Sequence, residues 1–88
     1  MEETLRELGI TERGEYARNN SYVITLGNSD DFSRYYARLD KNPDVEELTD
    51  SSQLTLHDAN VIFKYGDMQI SLQGNFDTDE YKLVATKY

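Results

Sequence analysis

One histidine and no cysteine among 88 residues decide most of the chemistry open to this chain. Without cysteine there is no thiolate nucleophile, no disulfide staple and no sulfur ligand for zinc. His57 has Asp58 beside it, but neighbours in an extended chain point to opposite faces, so adjacency does not make them an acid–base pair. A serine nucleophile would need His57 as its base, and no serine sits in a glycine-flanked elbow. There is no glycine-rich phosphate loop either. The expectation is a protein that is not an enzyme, with no catalytic residue and no cofactor.

The remaining candidates are charged clusters. Asp77, Asp79 and Glu80 share one turn and could offer oxygens to Ca²⁺ or Mg²⁺. A calcium loop needs further acids at fixed later positions and a central glycine, whereas Tyr81, Lys82 and Leu83 follow here. Turn aspartates are explained by bonds to nearby backbone, so no metal site is expected. Arg34, Tyr35, Tyr36 and Arg38 have the composition of a stacking groove for nucleic acid. Helical spacing instead puts the tyrosines on a buried stripe and the arginines outside it. A net charge of −8 would also repel phosphate, so direct nucleic-acid binding is not expected.

That charge is uneven. Residues 1–41 carry eight acids and six bases, a net of −2; residues 42–88 carry nine acids and three bases, a net of −6. The densest run holds Asp44, Glu46, Glu47 and Asp50, and a solvated surface is its simplest explanation.

The elements that would position these groups are readable from periodicity. Val61, Phe63 and Tyr65 alternate with polar or outward residues, Gly66-Asp67 follows, and Met68, Ile70 and Leu72 alternate again. A two-residue loop beginning with Gly suits a type II′ hairpin. Closing it pairs Tyr65 with Met68, Phe63 with Ile70 and Val61 with Leu72, all on one face. A second hairpin is expected around Asp77–Glu80, pairing Phe76 with Tyr81, Gly74 with Leu83 and Leu72 with Ala85. The last third of the chain is thus a β-meander.

Earlier segments cover it. Glu2–Leu8 reads as a short helix stopped by Gly9, with Leu5 and Leu8 on one side. Thr11–Asn20 fits either a second short helix followed by a turn, the preferred reading, or a hairpin turning at Asn19-Asn20. Ser21–Leu26 is a strand with Tyr22, Ile24 and Leu26 inward. Ser29-Asp30-Asp31 opens the main helix, at about 30–40, where Phe32, Tyr35, Tyr36 and Leu39 recur at i, i+3, i+4 and i+7. Asn42-Pro43 ends it. Asp44–Ser52 is an acidic connection with room for one helical turn, and Gln53–His57 alternates as a strand with Leu54 and Leu56 buried. Asp58–Asn60 is read as the turn into the meander.

The fold expected is α+β: a single domain over residues 1–88, a two-layer sandwich of roughly five mostly antiparallel strands with the main helix packed on one face. The other face should be polar, with Lys64, Gln69, Ser71 and Gln73, yet it also carries Ile62, Val84 and Tyr88. That apolar patch is either covered by Leu5 and Leu8 of the N-terminal helix or presented to a partner. No apolar run reaches the length of a membrane span or a signal-peptide core, and the expected location is cytoplasmic.

Two functions follow. The first is a small interaction or regulatory domain, monomeric or homodimeric, that binds another protein by a sheet face or edge through Ile62, Val84 and Tyr88. The second is an acidic nucleic-acid mimic that uses Asp44, Glu46, Glu47 and Asp50 to occupy the basic groove of a nucleic-acid-binding protein. Steep salt dependence of binding would mark the second.

Overall fold

The computed structural model describes all residues except Thr49, Ser51 and Tyr88. Its elements in chain order are α1 (Glu2–Glu7), β1 (Glu15–Tyr16), β2 (Tyr22–Leu26), α2 (Ser29–Lys41), β3 (Glu46–Glu47), β4 (Gln53–Leu54), β5 (Asp58–Tyr65), β6 (Met68–Asn75) and β7 (Glu80–Lys87). The sheet is antiparallel throughout and runs β1-β2-β7-β6-β5-β3, with β4 also pairing with β5. This is the expected α+β layering. It has more strands than sequence alone suggested, because three of them are two residues long.

The β5–β6 hairpin has the expected register, with Tyr65 opposite Met68, Phe63 opposite Ile70 and Val61 opposite Leu72. Gly66 has φ 60 and Asp67 has no positive φ, the signature of the type II′ turn. The second hairpin differs from expectation by two residues. Gly74 faces Tyr81, Leu72 faces Leu83 and Ile70 faces Ala85. The loop is Phe76–Asp79, and Asn75 fixes it by accepting hydrogen bonds on Oδ1 from the Asp77 and Thr78 amides. Asp79 then closes it at φ 57.

Residues 11–20 form the hairpin, not the preferred short helix. Glu15 faces Val23 and Tyr16 faces Tyr22, and Asn20 turns the chain at φ 64. Gly14 makes this possible, since a Cβ there would lie 2.4 Å from the Val23 carbonyl oxygen. The Tyr22 hydroxyl accepts from the Gly14 amide at 2.8 Å and ties the approach down.

Helix α2 begins one residue earlier than the Ser29 start suggested. Its cap is Asn28, whose Oδ1 accepts from the Asp31 amide at 2.9 Å, with Asp30 and Asp31 in the first turn complementing the helix dipole. Phe32, Tyr35 and Leu39 are buried and Tyr36 is half-buried, so the stripe read from spacing faces the sheet. The helix lies chiefly across β2, β7 and β6.

Helix α1 does not cover the Ile62–Val84 patch. Leu5, Leu8 and Ile10 are buried in the same core as Phe32, Tyr35 and Leu39. Gly9, at φ 85, lets the chain leave α1 so that its carbonyl accepts from Arg38 Nη1 on α2. Both helices therefore sit on one side of the sheet.

Leu54 and Leu56 are not core residues; they are 74% and 92% exposed. Strand β4 stops at Leu54, and a tight turn follows in which the Thr55 amide donates to the Asp58 carbonyl at 2.8 Å. The turn therefore precedes Asp58, which already belongs to β5, and Leu56 rides on its outside.

Candidate functional site

The candidate surface is the sheet face turned away from both helices. Alternation along each strand puts Val23, Thr25, Lys82, Val84, Thr86, Gln69, Ser71, Gln73, Asn60, Ile62 and Lys64 there. The registers align one row of these across four strands: Val23 beside Val84, Val84 beside Ser71, Ser71 beside Ile62. The Leu48 amide donates to the Ile62 carbonyl at 2.7 Å, which carries the β3 register onward and adds Leu48 to the row. Val23, Val84, Ile62 and Leu48 are all half-buried.

Ser71 at the centre does not make this row polar. Its hydroxyl donates to Asn60 Oδ1 at 2.6 Å and accepts from Gln73 Nε2 at 3.1 Å, and the residue is only 9% exposed. Its polarity is spent sideways, within the protein. Polar rows flank the stripe on both sides: Thr25, Lys82, Gln73 and Asn60 on one, Thr86, Gln69, Lys64 and Glu46 on the other. Ser21 Oγ and Thr86 Oγ1 lie 3.0 Å apart at the β2 end.

Of the residues singled out from sequence, Ile62 and Val84 belong to this stripe, on either side of Ser71. Tyr88 lies outside the described residues. Val23 and Leu48 were missed. Val23 was legible, because placing Tyr22 and Ile24 inward turns it outward; Leu48 was not, because its segment carries no alternation long enough to read as a strand.

The acidic run does not form one surface. Glu46 pairs with Lys64 on the open face, whereas Glu47 pairs with Phe63 and accepts the Tyr36 hydroxyl at 3.3 Å on the helix side. Asp44 and Asp50 are exposed on the flanking segments. Burial, and then the nearby charges of Glu47 and Asp40, raise Tyr36 above its ordinary pKa.

The groups that could have done chemistry are placed otherwise. His57 Nδ1 lies 2.9 Å from Asp77 Oδ2, joining two turns at one end of the sheet, and both side chains are largely exposed. Asp77, not the adjacent Asp58, is the partner; Asp58 is engaged with Thr55 Oγ1. Arg34 and Arg38 stack against the Tyr35 ring at 5.4 and 5.8 Å, with Arg34 also 3.8 Å from Glu12. Among the described residues, no group of three or more histidine or carboxylate side chains could hold a metal ion, and no buried side-chain nitrogen or oxygen lacks a hydrogen-bond partner.

No protein-family model, curated protein or solved structure matches this chain. Among the described residues, no helix is long and apolar enough to cross a membrane.

Proposed function

We propose that this protein is a non-enzymatic interaction domain that binds another protein through its open sheet face. The observation that carries the reading is the cross-strand stripe Val23–Val84–Ser71–Ile62–Leu48, with four half-buried apolar side chains around a buried serine and polar rows on either side. An apolar centre with a polar rim is the anatomy of a protein–protein contact. The rows beside the stripe hold Lys64 and Lys82 against Glu46, and Glu15 faces Val23 at the β1 end, so this face is close to neutral on a chain of net charge −8. Charge depletion at the centre of a contact has the same meaning.

The acidic-mimic reading has less behind it, since Glu46 and Glu47 point to opposite sides of an edge strand. A mimic needs its carboxylates in one field to oppose a basic groove.

The test is affinity capture from an extract of the source cells with two baits, the parent chain and an Ile62→Lys/Val84→Lys double variant. A partner retained by the parent and lost by the variant, with both baits equally folded by circular dichroism, supports the reading. Identical partner sets would remove the open face from consideration. A partner released from the parent by moderate salt alone would favour the acidic mimic.

A further inference from the structure

Among the described residues, the helix side of the sheet has one open margin, at β4, where Leu54 is exposed. Helix α2 lies chiefly across β2, β7 and β6, and α1 adds its apolar side chains to the same core. Beyond α2, over β5 and the short strands β3 and β4 that pair with it, there is a groove of about 460 Å³. Its apolar surface comes from Phe32, Tyr36, Val61 and Leu54, and none of the described residues that line it is basic. Phe32 and Val61 are already buried at its floor, so the apolar side chains it still offers are the half-buried Tyr36 and the exposed Leu54.

Two further observations say what kind of occupant. Leu54 belongs to this face, because it pairs with the buried Ala59, yet it is 74% exposed at the groove's outer wall. The floor is therefore a continuation of the core with one side missing. The charge around it is negative. Glu47 lines the groove beside the Tyr36 hydroxyl, and Asp40 follows Tyr36 by one helical turn. Meanwhile α2 directs both arginines to its other flank, Arg34 towards Glu12 and Arg38 to the Gly9 carbonyl. The groove side of α2 is left apolar and acidic.

We infer that this groove is a second docking site, distinct from the open sheet face, and that it takes a basic amphipathic helix from another protein. Apolar residues at i, i+3 or i+4 and i+7 would fill the space between Phe32, Tyr36, Val61 and Leu54, as in other helix-in-groove contacts. Lysines or arginines at its margin would meet Glu47 and Asp40. A second copy of this chain fits less well, because two molecules of charge −8 would meet along an acidic rim.

A synthetic fourteen-residue helix of leucine and lysine is a suitable probe, about 20 Å long at the ordinary helical rise. Titration calorimetry against the parent should show saturable binding, and a leucine–glutamate peptide of the same pattern should show none. Leu54→Asp should weaken the leucine–lysine complex by about tenfold or more, the effect of setting a charge where an apolar wall met the peptide. That substitution adds negative charge, so mere charge attraction would strengthen binding instead. Val84→Asp makes the same charge change on the opposite face and should leave affinity unaltered, which separates this site from the one proposed above. No saturable binding, equal or tighter binding by Leu54→Asp, or a loss confined to Val84→Asp would each overturn the assignment. So would self-association of the parent, seen by sedimentation and abolished by Leu54→Asp, which would give the groove to a second copy.

Discussion

Gly74 and Tyr81 face each other across β6 and β7 so closely that a Cβ on Gly74 would lie 2.8 Å from Tyr81 Cδ1 and 3.3 Å from Phe32 Cε2. The tyrosine ring fills the space that a side chain at 74 would need, an arrangement by which aromatic residues cover strand glycines. Gly74→Val should destabilise the fold by about 1–3 kcal/mol through overpacking. The same substitution in a Tyr81→Ala background should cost less, because its main obstacle is gone. Urea unfolding of the three variants measures both effects, and strict additivity would separate Gly74 from Tyr81.

Leu83 and Val84 are consecutive and face opposite ways. Leu83 is fully buried, whereas Val84 is half-buried on the open stripe. Leu83→Ala should cost about 2–5 kcal/mol. Val84→Thr, which keeps the β-branch, should stay within about 0.5 kcal/mol. Denaturant midpoints that move equally would mean the open face is covered in solution.

The exposed position of Leu56 has its own test. Leu56→Ser should change stability by no more than about 0.5 kcal/mol, the usual range for a surface site. A loss of several kcal/mol would return Leu56 to the core that simple alternation predicts for it.

Asn28 holds the first turn of α2 through the Asp31 amide. Asn28→Ala should cost about 1 kcal/mol, and Asn28→Ser considerably less, since serine also caps. Thermal melts of the two variants decide whether Asn28 or Ser29 is the effective cap.

Alkaline pH should destabilise the protein through its tyrosines. Burial comes first in raising Tyr35, Tyr36 and Tyr81 above the ordinary value of 10.0, followed by Glu12 for Tyr35, Glu47 for Tyr36 and Asp79 for Tyr81. A raised folded pKa means that, above about 10, the native state keeps protons the unfolded chain releases. The stabilisation is therefore complete below that pH and is lost as pH rises through the folded values. Melting temperature should fall above about pH 10, and tyrosinate absorbance should show a late-titrating fraction in the folded protein. A single titration of all seven tyrosines at the ordinary value would contradict this.

Much of the architecture was legible because one-sided alternation is so restrictive. In the β5–β6 hairpin the Gly66-Asp67 turn and the apolar pattern specify the same pairing. In the β6–β7 hairpin the pattern is silent about a slip of two, because such a slip returns every side chain to its own face. There the outcome depends on Asn75 bonding to the turn amides, a local preference that apolar spacing does not report. Leu54 and Leu56 misled for a related reason. Alternation tells which residues could be buried together, not whether a helix reaches far enough to bury them. For the open face, Ile62 and Val84 were legible one at a time, but their alignment about Ser71 needs both hairpin registers at once.

The place of β7 between β6 and β2 has a kinetic consequence. Strand β2 finds its long partner only when Glu80–Lys87 exists, so Tyr22, Ile24 and Leu26 have no sheet to join while the intervening chain is being made. The β5–β7 meander contains only local pairings and can form at once, whereas closing β2 onto it spans most of the sequence. The sheet cannot be completed before that strand is available. A nascent chain stalled before Glu80 would hold three apolar side chains open to chaperones or to aggregation.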